Sequence, residues 1–294
     1  FPRRWRFCVA PMLDWTDTHC RVFHRSLSRH ARLYTEMITS PALVHGNRDR
    51  LLRFSEVEHP VACQLGGSDP SELAQAAKWV AERGYDEVNL NCGCPSERVQ
   101  RGSFGACLML EAKLVADCFK AMRDAVDIDV TVKHRIGVDK EDSYGFVRDF
   151  VGTLFDAGCR VFIVHTRAAW LKGLSPKENR EVPPLKRDYA YALKKDFPEA
   201  VICVNGAVKT LETAEEIIAA GCDGVMVGRE AYQNPWILTD VDARLFGDET
   251  VRAVTRSEII DRMTAYLKEK VLADPLALRG TTRHMLGLLN GLAG

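Results

Sequence analysis

The chain is organised around one stretch, Asn89-Leu90-Asn91-Cys92-Gly93-Cys94-Pro95-Ser96. An alternating run from Asp86 to Leu90 comes just before and predicts a buried strand. Gly93 and Pro95 break the alternation, so the chain is expected to leave the sheet there. Two asparagines and two thiols therefore lie at or just past the carboxyl end of a strand. The Gly-rich segment 101–106 behind them is predicted to act as a lid.

The two thiols of this stretch have different interpretations. Cys92 alternates with the strand, so a buried hydrophobe and a functional thiol are both open. Cys94 lies in a loop between Gly93 and Pro95, with no apolar pattern to satisfy. A free thiol with a pKa of about 8.5 is mostly protonated near neutral pH, which suits a proton donor or a latent nucleophile. Zinc is not favoured, because no second close cysteine pair or histidine follows at finger spacing.

Outward from this stretch the chain predicts eight strands alternating with helices, at about 30 residues per repeat. That rhythm is typical of a (β/α)₈ TIM barrel, which we assign to residues 1–250. A doubly wound sheet is the alternative, but the Gly-rich first turn it requires is absent after Pro11. Two further helices, over 257–271 and 276–289, predict a small C-terminal helical domain over 251–294, with more helix expected beyond Gly294.

Bulk composition limits the classes of protein that fit. The 294 residues are 46% hydrophobic, enough for a large core, and the formal net charge is zero. Nucleic-acid binding would therefore need a local basic patch rather than a whole-molecule field. The ten cysteines do not form a disulfide scaffold in a chain of this length. With no bilayer-length apolar run and no signal peptide, a soluble, cytoplasmic protein is expected.

Polar or ring-contacting residues stand at all eight predicted strand ends, where a barrel places its active site. They are Met12, Glu36, Gln64, Asn91, Lys133, His165, Asn205 and Arg229. Small residues beside the last two strands, in Asn205-Gly206-Ala207 and Gly228-Arg229, suit a phosphate held by backbone N–H groups and a guanidinium. Taken alone, Lys133 could be a solvated charge and His165 a structural histidine.

The connection from Arg167 to Asp188 is long for a barrel and rich in cations, which include Lys177 and Arg180, and it also carries Trp170. Such a segment suits a phosphate backbone and a stacked base, although a solvated surface loop has the same composition. Arg98 and Arg101 beside the cysteines would extend the patch.

These motifs together resemble the tRNA-dihydrouridine synthases. The resemblance is carried by the 89–96 stretch with Gly102 and Gly105-Ala106, and by further motifs in the same order: Ala10-Pro11-Met12, Gln64-Leu65-Gly66, Val132-Lys133-His134-Arg135, His165-Thr166-Arg167, Asn205-Gly206 and Gly228-Arg229. Residues 173–180 and 282–287 resemble the A subfamily in particular. One departure is Ala207, where a second glycine is more usual.

The resemblance implies an FMN-dependent enzyme that uses NADPH, or NADH, to reduce the C5=C6 bond of uridine at positions 20 and 20a of the tRNA D-loop. Hydride would pass from the flavin to C6 and a proton from Cys94 to C5. The residues implied to bind FMN are Pro11, Met12, Leu13, Gln64, Lys133, His165, Asn205, Gly206, Ala207, Gly228 and Arg229. Those implied to contact tRNA are Asn91, Arg98, Arg101, Lys177 and Arg180.

Other functions remain open beside this one. An FMN-dependent reductase of free pyrimidines or dihydroorotate would share the barrel mouth but not the basic loop or the helical tail. A Schiff-base aldolase would use Lys133, and a non-catalytic RNA-binding protein would use only the basic surface. The expected partner is tRNA, and no binding to DNA, a membrane or a metal ion is expected. The protein is expected to be a monomer.

Overall fold

Eight strands form one parallel sheet in the computed structural model of the protein, which describes residues 2–291. In chain order they are β1 (Phe7–Val9), β2 (Leu33–Thr39), β3 (Val61–Gly66), β4 (Glu87–Cys92), β5 (Asp129–Arg135), β6 (Val161–His165), β7 (Val201–Asn205) and β8 (Gly224–Val227). Each strand from β2 to β8 pairs with the next, and β8 pairs with β1. A parallel bridge between Cys8 and Arg32 closes the ring, as the backbone N–H of Val9 donates to Arg32 at 2.9 Å. The predicted TIM barrel is confirmed.

Helices follow the strands and cover the outside of the barrel. Within the described residues they are α1 (Thr18–Leu27), α2 (Ser40–His45), α3 (Arg48–Leu51), α4 (Pro70–Glu82), α5 (Glu97–Arg101), α6 (Ala112–Ala125), α7 (Tyr144–Asp156), α8 (Arg187–Asp196), α9 (Leu211–Ala219), α10 (Arg229–Gln233), α11 (Val241–Phe246), α12 (Arg256–Ala273) and α13 (Ala277–Thr282). None of these helices is long and apolar enough to cross a bilayer.

Local signals start several of these helices. Asp69 caps α4 by accepting the backbone N–H of Glu72 at 2.9 Å, with Pro70 in the first turn. The Glu72 carboxylate does not return to the cap; it accepts the Ser40 hydroxyl at 3.0 Å and so fastens α4 to α2. A full capping box forms instead at α12, where Thr255 and Glu258 satisfy each other's backbone N–H groups.

The tail differs from the single helix expected over 276–289. It divides into α13 and a 3₁₀ turn at Leu286–Leu289. The break turns His284 inward, where it is 1% exposed, and brings Gly287 against the chain at Gln233. A Cβ on Gly287 would lie 2.3 Å from the carbonyl oxygen of Gln233, so a side chain does not fit there. Residues 292–294 lie outside the described residues, and the domain boundary at 250 stays a prediction.

The inside of the barrel has two unlike halves. One half is apolar and includes Tyr34, Ile163 and Met226. The other is polar because β4 alternates with period two: Val88 and Leu90 join the outer core under the helices, while the residues between them point the other way. The polar members of the inward set on β3 to β5 include Gln64, Glu87, Asn89, Asn91, Thr131 and Lys133. The β4–β5 register places Asn91 beside Lys133 and Asn89 beside Thr131, so this polar half ends at the barrel mouth.

Candidate active site

A cavity of about 1290 Å³ opens at the carboxyl ends of the strands. All eight strand-end residues singled out in the sequence line it: Met12, Glu36, Gln64, Asn91, Lys133, His165, Asn205 and Arg229. Pro11, Leu13, Cys94, Arg98, Arg180, Gly206, Ala207 and Gly228 line it as well. Arg101 and Lys177 are exposed beyond its wall. The structure thus brings together all the predicted cofactor residues and Cys94, while their individual roles stay predictions.

The two thiols of the central stretch differ in how far they are buried. Cys92 is fully buried in the outer core, as a small hydrophobe would be. Cys94 is half-buried and faces the cavity. The Asn91 side chain fixes its backbone, because Oδ1 accepts the N–H groups of Gly93 and Cys94, each at 3.0 Å. The thiol itself lies 3.5 Å from the Ser96 hydroxyl, whose oxygen also caps α5.

Residues 93–106, here called the cysteine loop, fold back on themselves. The N–H of Ala106 donates to the Cys94 carbonyl at 2.9 Å, and Val99 is buried between the two ends. Gly105 has φ +76°, and a Cβ there would lie 2.4 Å from Val99 Cγ1 and 2.6 Å from the Cys94 oxygen. Only glycine fits this crossing. Gly105 and Ala106 are thus buried within the loop while residues 101–103 are exposed, and movement of segment 101–106 as a lid stays a prediction.

Arg135 is the functional-site residue that sequence reasoning missed. It is 4% exposed at the end of β5, and its guanidinium donates to three carbonyls: Gly93 at 3.0 Å, Ala168 at 3.1 Å and Asn179 at 2.7 Å. Burial lowers the pKa of Arg135 to about 10, so it is charged at neutral pH. This cation ties the cysteine loop to the long loop after β6. Arg135 lies two residues after Lys133 on β5, so the two side chains are expected on the same face of the strand. This spacing was the sequence signal that could have identified Arg135.

Asn179 shapes that long loop. Its side chain accepts the Trp170 N–H at 2.7 Å and donates to the Trp170 carbonyl at 2.9 Å, so residues 170 and 179 within the loop are held together. Asn179 is fully buried, although the surrounding residues are mostly exposed. The loop is therefore an ordered wall that places Arg180 at the cavity, rather than a free solvated segment.

Lys133 and His165 supply the central polar atoms of the mouth. Burial by the barrel walls, with the nearby charge of Arg135, lowers the pKa of Lys133 to about 8. Burial and the charges of Arg135, Lys133 and Arg167 hold the pKa of His165 well below its ordinary value, so the imidazole is neutral. His165 Nδ1 is buried and has no hydrogen-bond partner within the described residues. An unpaired buried nitrogen is costly unless a ligand satisfies it, so this atom marks a binding position.

The ends of β7 and β8 form a shallow cradle. Gly206 and Ala207 both have left-handed backbones, with φ +113° and +52°, a turn that exposes successive N–H groups to an anion. Arg187 donates to the Ala207 carbonyl at 2.8 Å and holds this turn. Arg229 completes the cradle and pairs with Glu181. Ala207 can take the backbone that glycine usually provides here, at a cost of about 1–2 kcal/mol.

The tail is fastened to the loop that follows β1. Asp17 accepts from Arg283 at 2.8 Å and lies 3.0 Å from the His284 imidazole, while it also caps α1 through the Cys20 N–H. The Tyr232 hydroxyl lies 3.0 Å from the other ring nitrogen of His284. Trp15 stacks on Tyr232 with ring centroids 4.1 Å apart. Asp17 lines the cavity, so the tail is anchored at the rim of the site.

The barrel is shared with distant enzymes. A 2-naphthoyl-CoA reductase complex superposes with a TM-score of 0.63 at 12% sequence identity, covering 80% of this chain and 49% of that chain. At this identity the likeness shows the fold alone.

Closer relatives match nearly the whole chain. A tRNA-dihydrouridine(20/20a) synthase of Pseudomonas aeruginosa is 58% identical over 289 residues, covering 98% of this chain and 86% of the relative. Proteins of the same name from Salmonella typhimurium and Escherichia coli K12 are each 57% identical, covering 99% and 98% of this chain and 86% and 83% of the relatives. The profile of the dihydrouridine synthase family matches residues 8–294. The chain belongs to the dihydrouridine synthase family.

Proposed function

We propose that this protein reduces the C5=C6 bond of uridine 20 and 20a in tRNA, with FMN as cofactor and NADPH as reductant. The single observation that carries the proposal is the placement of Cys94. Its half-buried thiol faces a cavity of about 1290 Å³ that also holds the unpaired Nδ1 of His165 and the ammonium of Lys133. The family and the printed activity of the close relatives support the same reaction.

The mouth fits FMN on three independent features. The cavity is large enough for a flavin with a nucleobase beside it. The cradle of Gly206, Ala207, Gly228 and Arg229 offers backbone N–H groups and a guanidinium to the phosphate. His165 Nδ1 lacks a partner within the described residues, and Lys133 adds a positive charge. Pro11, Met12 and Leu13 line the same cavity and would contact the ring, and Gln64 and Asn205 would hydrogen-bond the cofactor.

Bound FMN would provide the hydride for C6 of the uracil, with NADPH as the source of its electrons. The chain supplies the proton: the Cys94 thiol donates to C5, where negative charge develops as C6 receives hydride. Asn91 holds the Cys94 backbone in place for this transfer. Lys133, charged below pH about 8, stabilises negative charge in the mouth.

Cations around the mouth suit a tRNA backbone. Arg98 and Arg180 lie at the cavity wall, and the exposed side chains of Arg101 and Lys177 continue the patch outward. A target uridine must leave its stack to reach the flavin, which this open mouth allows. We infer that the helical tail over 251–294 adds to tRNA binding, and that the protein acts as a cytoplasmic monomer without DNA.

An absorption spectrum of the purified protein tests cofactor, reductant and substrate together. We expect flavin bands that bleach with anaerobic NADPH and recover when unmodified tRNA is added. Free uridine at the same concentration is the matched control and should not restore the bands within the same time. A protein that stays colourless after FMN is added would contradict the assigned mouth, and recovery with free uridine would favour a small-molecule pyrimidine reductase.

The proton donor is tested separately, by Cys94→Ala. This variant should keep its flavin and its reduction by NADPH but lose turnover of tRNA by about two orders of magnitude or more, the usual range for a missing general acid. Cys107→Ala is the matched control, because Cys107 is also half-buried but lies outside the cavity. Full activity of Cys94→Ala, or an equal loss in both variants, would rule out the role of Cys94.

A further inference from the structure

A chain of buried hydrogen bonds runs down the polar half of the barrel from the anchor of the cysteine loop. Asn91 Nδ2 donates to Gln64 Oε1 at 2.9 Å, and Gln64 Nε2 donates to Asn89 Oδ1 at 2.8 Å. Asn89 Nδ2 then donates to Thr131 Oγ1 at 2.8 Å, and the Thr131 hydroxyl donates to Glu87 Oε1 at 2.5 Å. All five residues are buried, with Asn91 the most exposed at 8%.

The lower end of the chain can only accept. The Glu87 carboxylate accepts from the Trp5 indole at 2.9 Å and from the Tyr34 hydroxyl at 2.8 Å, and it forms an ion pair with the Arg32 guanidinium at 3.0 Å. Glu87 Oε1 accepts the Thr131 hydroxyl, and because a hydroxyl has a single proton, Thr131 donates only downward. Its oxygen is then left to accept from above, and this selects the NH₂ group of Asn89.

The upper end can only donate, because the backbone N–H groups of Gly93 and Cys94 both point at Asn91 Oδ1. Each amide between the two ends therefore has one orientation that satisfies both its neighbours. Side-chain amides otherwise have two orientations of similar shape, with oxygen and nitrogen exchanged. In this barrel the carboxylate at the floor fixes the amide at the mouth, through three intervening side chains.

We propose that Thr131 is a positioning residue for the proton donor, because its hydroxyl transmits the polarity set by Glu87 through Asn89 and Gln64 to Asn91. The proposal rests on the proposed function in assigning the proton to Cys94. Thr131 lies below the cavity and is not among the residues that line it, so it acts only through the residues above.

Loss of the Thr131 hydroxyl creates a choice between two arrangements. If the amides keep their orientation, Asn89 Nδ2 faces an apolar group, and a buried unpaired donor costs about 1–3 kcal/mol. If all three amides turn over, Asn89 Oδ1 faces the apolar group in place of its NH₂, and Asn91 presents NH₂ to the N–H groups of Gly93 and Cys94. The loop then loses both hydrogen bonds that hold its backbone. A mixture of the two arrangements weakens the anchor of Cys94.

Hydrogen exchange of the protein without added ligand tests this directly. In Thr131→Val the amides of Gly93 and Cys94 should exchange about fivefold faster, the factor that corresponds to ~1 kcal/mol for a hydrogen bond. Thr131→Ser restores the hydroxyl and should return the rate towards that of the native protein. Thr281→Val is the matched control, since Thr281 is fully buried and its hydroxyl has no partner within the described residues. Unchanged exchange in Thr131→Val would overturn the proposal.

Kinetics with the flavin-loaded enzyme separate positioning from general damage. Thr131→Val should slow oxidation by tRNA about fivefold, more than it slows reduction by NADPH, and it should have no further effect on oxidation in a Cys94→Ala background. Equal slowing of both half-reactions would overturn the proposal in favour of a structural role. Failure of the native protein to bind flavin would refute the proposed cofactor, while the exchange experiment would still decide the role of Thr131.

Discussion

Asp17→Asn isolates the charge that fastens the tail to the barrel. Asparagine caps a helix as well as aspartate does, so the cap on α1 through the Cys20 N–H is kept. The ion pair with Arg283 and the charged partner of His284 are lost. The change therefore removes a charge from the tail contact without removing the helix cap.

The size of the effect follows from the pKa of Asp17. Burial alone would raise it, but hydrogen bonds from His284 and the Cys20 amide, with Arg283, lower it from 3.8 to about 2. A carboxyl whose pKa is lower in the folded state stabilises that state above its unfolded pKa, and the contribution is lost as the pH falls towards 2. The shift corresponds to about 2 kcal/mol, of which about half is lost by pH 3.

Urea unfolding at pH 7 and pH 3, followed by tryptophan fluorescence and circular dichroism, measures this contribution. Asp17→Asn should lower the free energy of unfolding by about 2 kcal/mol at pH 7 and by about half as much at pH 3. Asp69→Asn is the matched control, a cap on α4 for which the structure shows no ion pair within the described residues, and its effect should be small at both values. An equal loss at pH 7 and pH 3 would refute the electrostatic reasoning.

Three further changes address the mouth itself. Arg135→Lys keeps the charge but reaches fewer carbonyls, and each lost charged hydrogen bond is worth about 1.5–3 kcal/mol. Turnover of tRNA should therefore fall about tenfold, and limited trypsin digestion of the loop after β6 should accelerate. Unchanged digestion would contradict the proposal that Arg135 ties the two loops together. Gly105→Ala should lower the melting temperature and the activity more than Gly173→Ala does. Both backbones are left-handed, but a Cβ at Gly173 meets nothing within 4 Å. Equal effects would contradict the close contact of Gly105 with Val99 and Cys94. FMN binding, measured by fluorescence titration from pH 6.5 to 9.5, should weaken above pH about 8 because Lys133 loses its proton there. The Lys133→Met variant should lack this pH dependence. The same pH profile in both proteins would exclude Lys133 as its origin.

The sequence allowed the barrel and the lining of its mouth to be predicted because both follow from local patterns. Each strand is a short run with period two, and a polar residue at its carboxyl end must face the mouth. The eight strand-end residues were found in this way, and Met12, Lys133 and His165 all line the cavity. The sequence pattern predicts strands over 129–135 and 224–227, and β5 and β8 have these bounds in the structure.

What the sequence did not indicate depends on partners that are distant along the chain. Arg135 looked like one more charge in a basic strand end, and only the fold brings Gly93, Ala168 and Asn179 to its guanidinium. Glu87 would normally suggest an exposed position, but Arg32, 55 residues earlier, neutralises it within the barrel. Helix α8 was hidden in a charged segment, in which only Ala190 and Leu193 are buried.

The seam between β1 and β2 bears on how this protein ages in solution. A closed barrel has no free strand edge, and an edge is where chains join to form aggregates. Here β1 has only three residues. Within the described residues, a single isolated β-bridge, between Cys8 and Arg32, pairs β1 with the chain just before β2. Partial opening at this seam would bare the edge of β2, whose first residues, Leu33 and Tyr34, are apolar. We therefore expect aggregation at high concentration to begin at this seam, and a charge added near it to act as a gatekeeper.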